Sequence, residues 1–263
     1  MVKCYENVTH RSRVENRAGA DFERVSNQHF NAAVSGGSVG REASGRDQAS
    51  IRVRVWFVAG ALVLIIAVRL DDSVQKVFEL GPQDTLIPFA RWMSRLGEGW
   101  VVAAAGTAIS VILALFGRLV AARLAILAAI SGLLTGAVAT VLRTVIGRTR
   151  PNVDVAQGFY GMRHDAHWIV GQYDFSSFPS GHAATVVGVA AAVWLVNRKL
   201  GVLVGIYAAL VCWSRVANGC HHPSDIVGAC VLGILGGYGS VRLLWPRLEP
   251  GVARLIQGIT KGS

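Results

Sequence analysis

The sequence predicts an all-α membrane protein, a bundle of six transmembrane helices with an amphipathic outer segment and a disordered N-terminal tail. First, 52% of the 263 residues are hydrophobic and only 16% are charged. Together with a mean hydropathy of +0.43, this composition is too apolar for an ordinary soluble domain. Second, six apolar segments approach the roughly 20 residues that a spanning helix needs. Third, basic residues cluster at alternate ends of these segments.

The chain divides into three parts. Residues 1–50 are polar and lack a sustained apolar period, which predicts a disordered cytoplasmic tail. Residues 51–247 hold the six-helix domain, and 248–263 form a short cytoplasmic C-terminal tail. The segments predicted to span the membrane are 53–70, 100–116, 119–142, 183–196, 202–213 and 226–245. The fourth and fifth are short, and we expect polar flanks that line an enclosed cavity to extend them.

Between the first two spans, residues 71–99 mix charges with large apolar side chains. This pattern is typical of one or two amphipathic helices that lie on the membrane surface. We expect the charged side chains of this segment to face water. Two glycine pairs in the spans, Gly132 with Gly136 and Gly233 with Gly237, have the spacing of close helix contacts.

The formal net charge of +10 arises mainly from bases that flank the apolar segments. Such bases mark cytoplasmic ends, which predicts that both termini lie inside the cell. Anionic lipid or phosphate is the expected partner, and the lack of a basic stripe with interleaved aromatics argues against nucleic acid. Short basic loops favour a bacterial inner membrane. On this topology three polar stretches of the sequence meet at the outer face, toward the periplasm or the outside.

The first stretch holds Arg143 and Arg150-Pro151. If the helix continued through it, the two guanidinium groups would lie within roughly 20° of the same face. Two arginines placed in this way make a bidentate phosphate clamp. The alternative is that both are interfacial arginines whose heads reach toward water. Arg148, a third base nearby, is as readily interpreted as an anchor for the loop.

The second stretch is Pro179-Ser180-Gly181-His182, directly before the fourth apolar segment. A helix that begins here presents free backbone N–H groups to an anion, and glycine permits close approach. Ser180 either caps the helix or donates to phosphate, and His182 lies in the first turn. An ordinary serine cap with an interfacial histidine is the plain alternative.

The third stretch holds Ser214-Arg215, then His221 and Asp225. A spacing of four residues lets Asp225 accept from one ring nitrogen of His221, which fixes the tautomer and leaves the other nitrogen free to attack. The same logic operates in a catalytic triad. A polar helix cap would explain Asp225 but not His221. His222 is interpreted as a neighbour of the site.

Together, Arg-x6-Arg-Pro, Pro-Ser-Gly-His and Ser-Arg-x5-His-x3-Asp resemble the three-part signature of the type 2 phosphatidic acid phosphatase (PAP2) superfamily. The likeness is to its integral-membrane lipid phosphatases and covers about residues 53–245. The family usually has Lys where this chain has Arg143. The charge is kept, so phosphate binding should survive, whereas rate or substrate preference can differ because the two donors are not equivalent.

The resemblance implies roles for particular residues. His221 attacks phosphorus to give a phosphohistidine, and Asp225 orients it. His182 protonates the leaving oxygen and then activates water. The residues implied to bind the phosphate oxygens are Arg143, Arg150, Ser180, Gly181 and Arg215. No metal ion and no cofactor is implied.

The sequence thus predicts a metal-independent phosphatase that removes a terminal phosphate from a membrane lipid at the extracytoplasmic face. Candidate substrates are undecaprenyl diphosphate, lipid A 1-phosphate, phosphatidylglycerol phosphate and phosphatidate. One alternative is transfer of the phosphoryl or head group to another lipid. A second is a lipid-phosphate binder without activity, which the pair of histidines argues against. No obligatory protein partner is inferred.

Overall fold

The computed structural model describes residues 44–248, with side chains from residue 58 onward. Seven helices carry the fold: α1 (Ser44–Phe78), α2 (Ile87–Leu96), α3 (Gly99–Leu115), α4 (Leu119–Ile146), α5 (Gly181–Val196), α6 (Arg198–Ala217) and α7 (Pro223–Leu248). A two-stranded hairpin, β1 (Arg163–His164) with β2 (His167–Trp168), and a 3-10 turn (Tyr173–Phe175) lie between α4 and α5. Residues 1–43, most of the predicted N-terminal tail, and the predicted C-terminal tail from 249 onward lie outside the described residues.

The structure is helical at all six predicted segments. Within residues 44–248, three helices are long and apolar enough to cross a membrane, namely α4, α6 and α7. The pair α2 and α3, bent by 64° at their junction, provides a fourth candidate span. The protein is therefore an integral membrane protein, whereas the count of six spans stays a prediction. Helix α5 has only 16 residues, in keeping with the short fourth segment of the sequence.

The first helix differs from the sequence prediction at both ends. Its backbone is helical from Ser44, inside the segment predicted as tail, and it continues to Phe78. The amphipathic helix α2 follows; it buries Ile87, Ala90 and Met93 and packs against α6. The amphipathic helix predicted within 71–99 thus packs into the bundle, and its place at the membrane surface stays a prediction.

Helix α5 is the centre of the bundle and packs against α4, α6 and α7. Away from the polar end of the molecule, α4, α5 and α7 share an apolar cluster that includes Leu127, Val196 and Trp245. A second cluster joins α2, α3, α5 and α6 through Met93 and Val211. Burial against several neighbours holds the start of α5 in one position relative to the ends of α4 and α6.

Small residues allow this close packing. A Cβ atom added at Gly132 would lie 2.6 Å from the Val189 side chain of α5, and one at Gly237 would lie 2.6 Å from Ala191. Such distances leave no room for a side chain, so the predicted role of the glycine pairs in close helix contacts is confirmed.

The segment between α4 and α5 is a folded loop. Gly147 follows the last residue of α4 and has a φ of 61°, a left-handed conformation that favours glycine. A Cβ atom at Gly147 would also collide with the carbonyl oxygen of Gly161. The amide of Thr149 donates to Gly158 O at 3.1 Å, and that of Arg150 donates to Asp174 O at 2.9 Å. These bonds fix the backbone at the first polar stretch.

Candidate active site

The structure brings the three polar stretches together at one end of the bundle. Two hydrogen bonds join them directly. The amide of Ser180, at the start of α5, donates to the carbonyl oxygen of Asp225 in the first turn of α7 at 3.3 Å. The Nη1 group of Arg150 donates to Cys220 O at 3.0 Å, in the turn between α6 and α7.

Three arginines converge at this end. The charged groups that act on Arg143, in the last turn of α4, are the cations Arg150 and Arg215. The half-buried His182 is faced by the same three arginines and by His221. Like charges this close repel one another. A bound anion among them would therefore stabilise the arrangement.

Arg143 and Arg150 are not on one helix face, as a continuous helix would require. The helix ends at Ile146, and Arg150 lies in the following loop, where its own partners position it. Its Nε, Nη1 and Nη2 groups donate to the carbonyl oxygens of Tyr173, Cys220 and Ser176 at 2.9, 3.0 and 3.2 Å. Its guanidinium also lies 3.9 Å from the centre of the Tyr173 ring. These contacts hold the cation rigidly, and each Nη atom retains one further hydrogen to donate.

Arg215 and Ser180 are buried, and each carries a hydrogen-bonding group that has no partner in the described residues. Arg215 is 9% exposed and Ser180 is 0% exposed. Arg215 donates through Nη1 to the Ser94 hydroxyl of α2. Within the described part of the chain, its Nε atom and the Ser180 hydroxyl oxygen have no hydrogen-bond partner. A buried polar group without a partner costs free energy, so both atoms favour a bound ligand that accepts from them.

Ser180 occupies the N-cap position of α5 but makes no side-chain capping bond. The sequence allowed Ser180 either to cap the helix or to donate to phosphate. The structure shows no capping bond, so the hydroxyl is available to a ligand. Gly181 follows, and a Cβ atom added there would lie 3.6 Å from Nη1 of Arg143. The first amides of a helix have no acceptor within it, and they attract anions. The start of α5 therefore points its free N–H groups into the same space as Arg143.

His221 lies in the turn before α7 and is 1% exposed. Its Nδ1 atom is 2.9 Å from the carbonyl oxygen of Ser177 and 3.4 Å from Oδ2 of Asp225. Because a carbonyl oxygen only accepts, the proton is on Nδ1 and the lone pair is on Nε2. The sequence predicted that Asp225 alone fixes the tautomer of His221. In the structure the main-chain oxygen of Ser177 also faces Nδ1. Burial lowers the pKa of His221 to about 4, against the opposing effect of Asp225, so the ring is neutral at pH 7.

Asp225 is fully buried and accepts from several donors. Its Oδ1 atom is 2.5 Å from Nη1 of Arg148. Its Oδ2 atom accepts from the Ser177 hydroxyl at 2.5 Å and from the backbone amide of His222 at 2.8 Å. This set of donors stabilises the ionised carboxylate and fixes its orientation beside His221.

Sequence reasoning missed several members of the site. The expectation that charged residues of 71–99 face water is wrong for Asp71, which is 4% exposed and contacts Arg148 at 2.5 Å. A carboxylate at the end of an apolar segment often marks a functional or paired group. Asp71 directly follows the first apolar segment, so the sequence did contain this signal. Arg148 was interpreted as a loop anchor but reaches Asp225. Ser177 and Ser94 have no sequence pattern of their own.

The architecture defines a helical membrane protein with a candidate anion site at one end of the bundle, beside a buried histidine that is neutral and held in one orientation. Residues 123–249 match the model of the PAP2 superfamily. This part of the chain, which includes every predicted site residue, belongs to that superfamily.

Relatives of known name match shorter stretches. The undecaprenyl-diphosphatase BcrC of Bacillus subtilis is 32% identical over 75 residues, 28% of this chain and 39% of that protein. The lipid A 1-phosphatase of Rhizobium etli is 33% identical over 99 residues, 38% of this chain and 41% of that protein. The chain thus spans about two fifths of the length of these curated relatives. The crystal structure of LpxE from Aquifex aeolicus has a TM-score of 0.49 and 19% identity, covering 66% of this chain and 95% of that one.

Proposed function

We propose that the protein is a metal-independent membrane lipid phosphatase that removes the terminal phosphate of a lipid phosphate or diphosphate. The observation that carries this proposal is the pairing of two arrangements at one place. Donors without acceptors, at Arg215 and Ser180, converge with Arg143 on an anion site. Beside them, His221 is held with Nε2 unprotonated. Binding of phosphate requires the first arrangement only, whereas reaction requires both.

In the first step, Nε2 of His221 attacks phosphorus, and the bond from phosphorus to the lipid oxygen breaks. His182 donates a proton to this leaving oxygen, and the lipid departs as an alcohol or a monophosphate. The positive charge that develops on the His221 ring is stabilised by Asp225 and by the Ser177 carbonyl oxygen.

In the second step, His182 accepts a proton from water, and the water oxygen attacks phosphorus. The P–Nε2 bond breaks, which returns its electron pair to His221 and releases inorganic phosphate. The arginines, the Ser180 hydroxyl and the Gly181 amide stabilise the charge on the phosphoryl oxygens in both steps.

The proposed site faces the periplasm or the outside of a bacterial inner membrane, with both termini in the cytoplasm. Basic residues that flank the other ends of the spans support this orientation. The substrates named for the relatives, undecaprenyl diphosphate and the 1-phosphate of lipid A, are the first candidates. Phosphatidylglycerol phosphate and phosphatidate complete the set.

The test is phosphate release by the detergent-solubilised protein from these four lipids in the presence of EDTA. We expect release from at least one lipid, no effect of EDTA, and loss of activity in His221→Ala. His167→Ala, an exposed histidine of the hairpin, is the matched control and should retain activity. No release from any lipid by the folded wild-type protein contradicts the proposal, and labelled phosphate found on a second lipid would indicate a transferase.

A further inference from the structure

A buried charge cluster links the first helix to the candidate site. Arg148 is 5% exposed, and its guanidinium lies between the carboxylates of Asp71 in α1 and Asp225 in α7. Nη2 is 2.5 Å from Oδ2 of Asp71, and Nη1 is 2.5 Å from Oδ1 of Asp225. Ser224 closes the cluster: its hydroxyl lies 2.6 Å from Nη1 of Arg148 and 2.6 Å from Oδ2 of Asp71.

Both terminal nitrogens of Arg148 donate to protein groups. Nη1 uses both of its hydrogens on Ser224 and Asp225, and Nη2 contacts Asp71. The guanidinium is further covered by the ring of Phe159, 4.8 Å from its centre. The contacts that the structure gives Arg148 are thus to protein groups, and its effect on the site passes through them.

The partner that matters is Asp225. Its two oxygens have separate tasks: Oδ1 faces Arg148, while Oδ2 faces Nδ1 of His221 at 3.4 Å. A carboxylate can rotate about its terminal bond, and rotation would change which oxygen faces the imidazole. The bond from Arg148 to Oδ1 opposes this rotation, and the bond from Ser177 to Oδ2 fixes the other side.

Arg148 is in turn held by α1. Asp71 accepts from Arg148 and also from the backbone amide of Ser224 at 2.8 Å. One carboxylate thus contacts both the arginine and the first turn of α7. The site's geometry therefore depends on a helix that lies outside the matched family region, residues 123–249.

We propose that Arg148 is a positioning residue for the proposed phosphatase reaction: it joins Asp71 to Asp225 and so holds the carboxylate that faces His221. The inference rests on the proposed function for its kinetic consequences. Its structural consequence, the fixed state of the His221 ring, is measurable without turnover.

The kinetic test uses Arg148→Met, Asp71→Asn and the double variant, with Arg163→Met, an exposed arginine of the hairpin, as control. We expect kcat to fall about 100-fold in Arg148→Met while KM changes less than about 2-fold, since small misplacements cost this much. Asp71→Asn should lower kcat about 10-fold. The double variant should be no slower than Arg148→Met, because both residues act through one link. The control should keep its kcat.

Arg148→Lys gives a second variant that keeps the charge. We expect a kcat between those of the wild type and Arg148→Met, because an ammonium group cannot bridge two carboxylates in a fixed plane. A rise in KM at unchanged kcat, or strictly additive losses in the double variant, would overturn the proposal. If Arg148→Met does not fold, Arg148→Lys and Asp71→Asn decide it in the same way.

The independent readout is the 15N spectrum of the histidines, with His221 assigned by its loss in His221→Asn. We expect the tautomer protonated at Nδ1 in both proteins, because the Ser177 carbonyl oxygen holds it, and a shifted Nδ1 signal in Arg148→Met, because Asp225 no longer faces the ring in a fixed orientation. An unchanged His221 signal in Arg148→Met would overturn the positioning role. This measurement stands even if the wild type releases no phosphate from any lipid, a result that would contradict the proposed function alone.

Discussion

Two pairs of arginines lie at the same end of this molecule and differ in what surrounds them. Arg148 and Arg150, the committed pair, donate to carboxylates and carbonyl oxygens of the protein. Arg143 and Arg215, the open pair, lie near each other and near Arg150, and Arg215 has a buried Nε without an acceptor in the described residues. The same side chain thus has two uses. Where the protein accepts from its donors, arginine stabilises the fold. Where donors remain, as on Arg143, on Arg215 and on the second hydrogens of the two Nη groups of Arg150, it favours a bound anion.

The comparison predicts that substitutions in the open pair mainly lower activity, whereas substitution of Arg148 also lowers the free energy of unfolding. Arg143→Met and Arg215→Met should lower kcat/KM by about 10²- to 10³-fold, the cost of removing one donor to a transition state. Their free energy of unfolding should change little, because each removes repulsion as well as contacts. Arg148→Met should lower the free energy of unfolding by about 3–5 kcal/mol, because it leaves buried carboxylates without their cation.

Denaturation with and without orthovanadate, a phosphate analogue, measures both effects. A ligand that binds the folded state raises the melting temperature. We expect this rise in the wild type and in Arg148→Met, and its loss in Arg143→Met. If vanadate stabilises Arg143→Met as strongly as the wild type, the assignment of Arg143 to the open pair is wrong.

A smaller effect is expected from Arg143→Lys, which restores the residue usual in the resembled signature. Lysine keeps the charge but supplies a point donor in place of a planar fork. We expect kcat/KM to stay within about 10-fold of the wild type, with any change differing between monophosphate and diphosphate lipids. Steady-state kinetics on both lipid classes measure this. A loss as large as that of Arg143→Met would mean that the planar fork, and not the charge, is essential.

The smallest effect concerns pH. Burial lowers the pKa of His221 from 6.5 to about 4, so the neutral, nucleophilic ring persists well below pH 6. Above pH 6.5 the ring is neutral in both the folded and the unfolded chain, and its contribution to stability is complete. As pH falls through about 4 the buried ring must bind a proton, and that stability is lost.

The expected kinetic result is a kcat/KM that His221 does not limit until pH falls to about 4, where protonation of the ring halves the rate. The pH profile of the free enzyme measures this ionisation. The acidic fall of this profile should be compared with the 15N titration of His221, which shows whether the two have the same midpoint. A His221 titration midpoint near 6.5 would show that the ring is solvated and would contradict the buried nucleophile.

The two pairs also show what the sequence contains and what it does not. The helices were predictable because long apolar runs have few alternatives in a membrane. The open pair was predictable because Arg143 and Arg215 end such runs, where cations at an interface are visible as a pattern. Ser180 and Gly181 were predictable because they stand directly before the apolar run of α5.

The sequence singled out Arg150, but the protein partners of the committed pair were not predictable in the same way. The partner of Arg148 in α1 is 77 residues away in sequence, and neither Asp71 nor Arg148 belongs to a repeating pattern. The shared face of Arg143 and Arg150 was predicted only for a helix that continued, and Gly147 ends the helix between them. A single glycine at a helix end is a weak signal. The bond from His221 to the Ser177 carbonyl depends on the path of a loop, which local sequence does not determine.

The most direct test of the phosphatase account is capture of the covalent intermediate. The protein is mixed with lipid labelled on its terminal phosphate, quenched in alkali within the first turnovers, and digested. His182→Ala, which lacks the proposed base for hydrolysis, is run beside the wild type to test whether the label accumulates. We predict a label that is stable in alkali, labile in acid, located on the peptide that contains His221, and missing in His221→Ala. Turnover without any such label, or a label on a different residue, would contradict nucleophilic attack by His221.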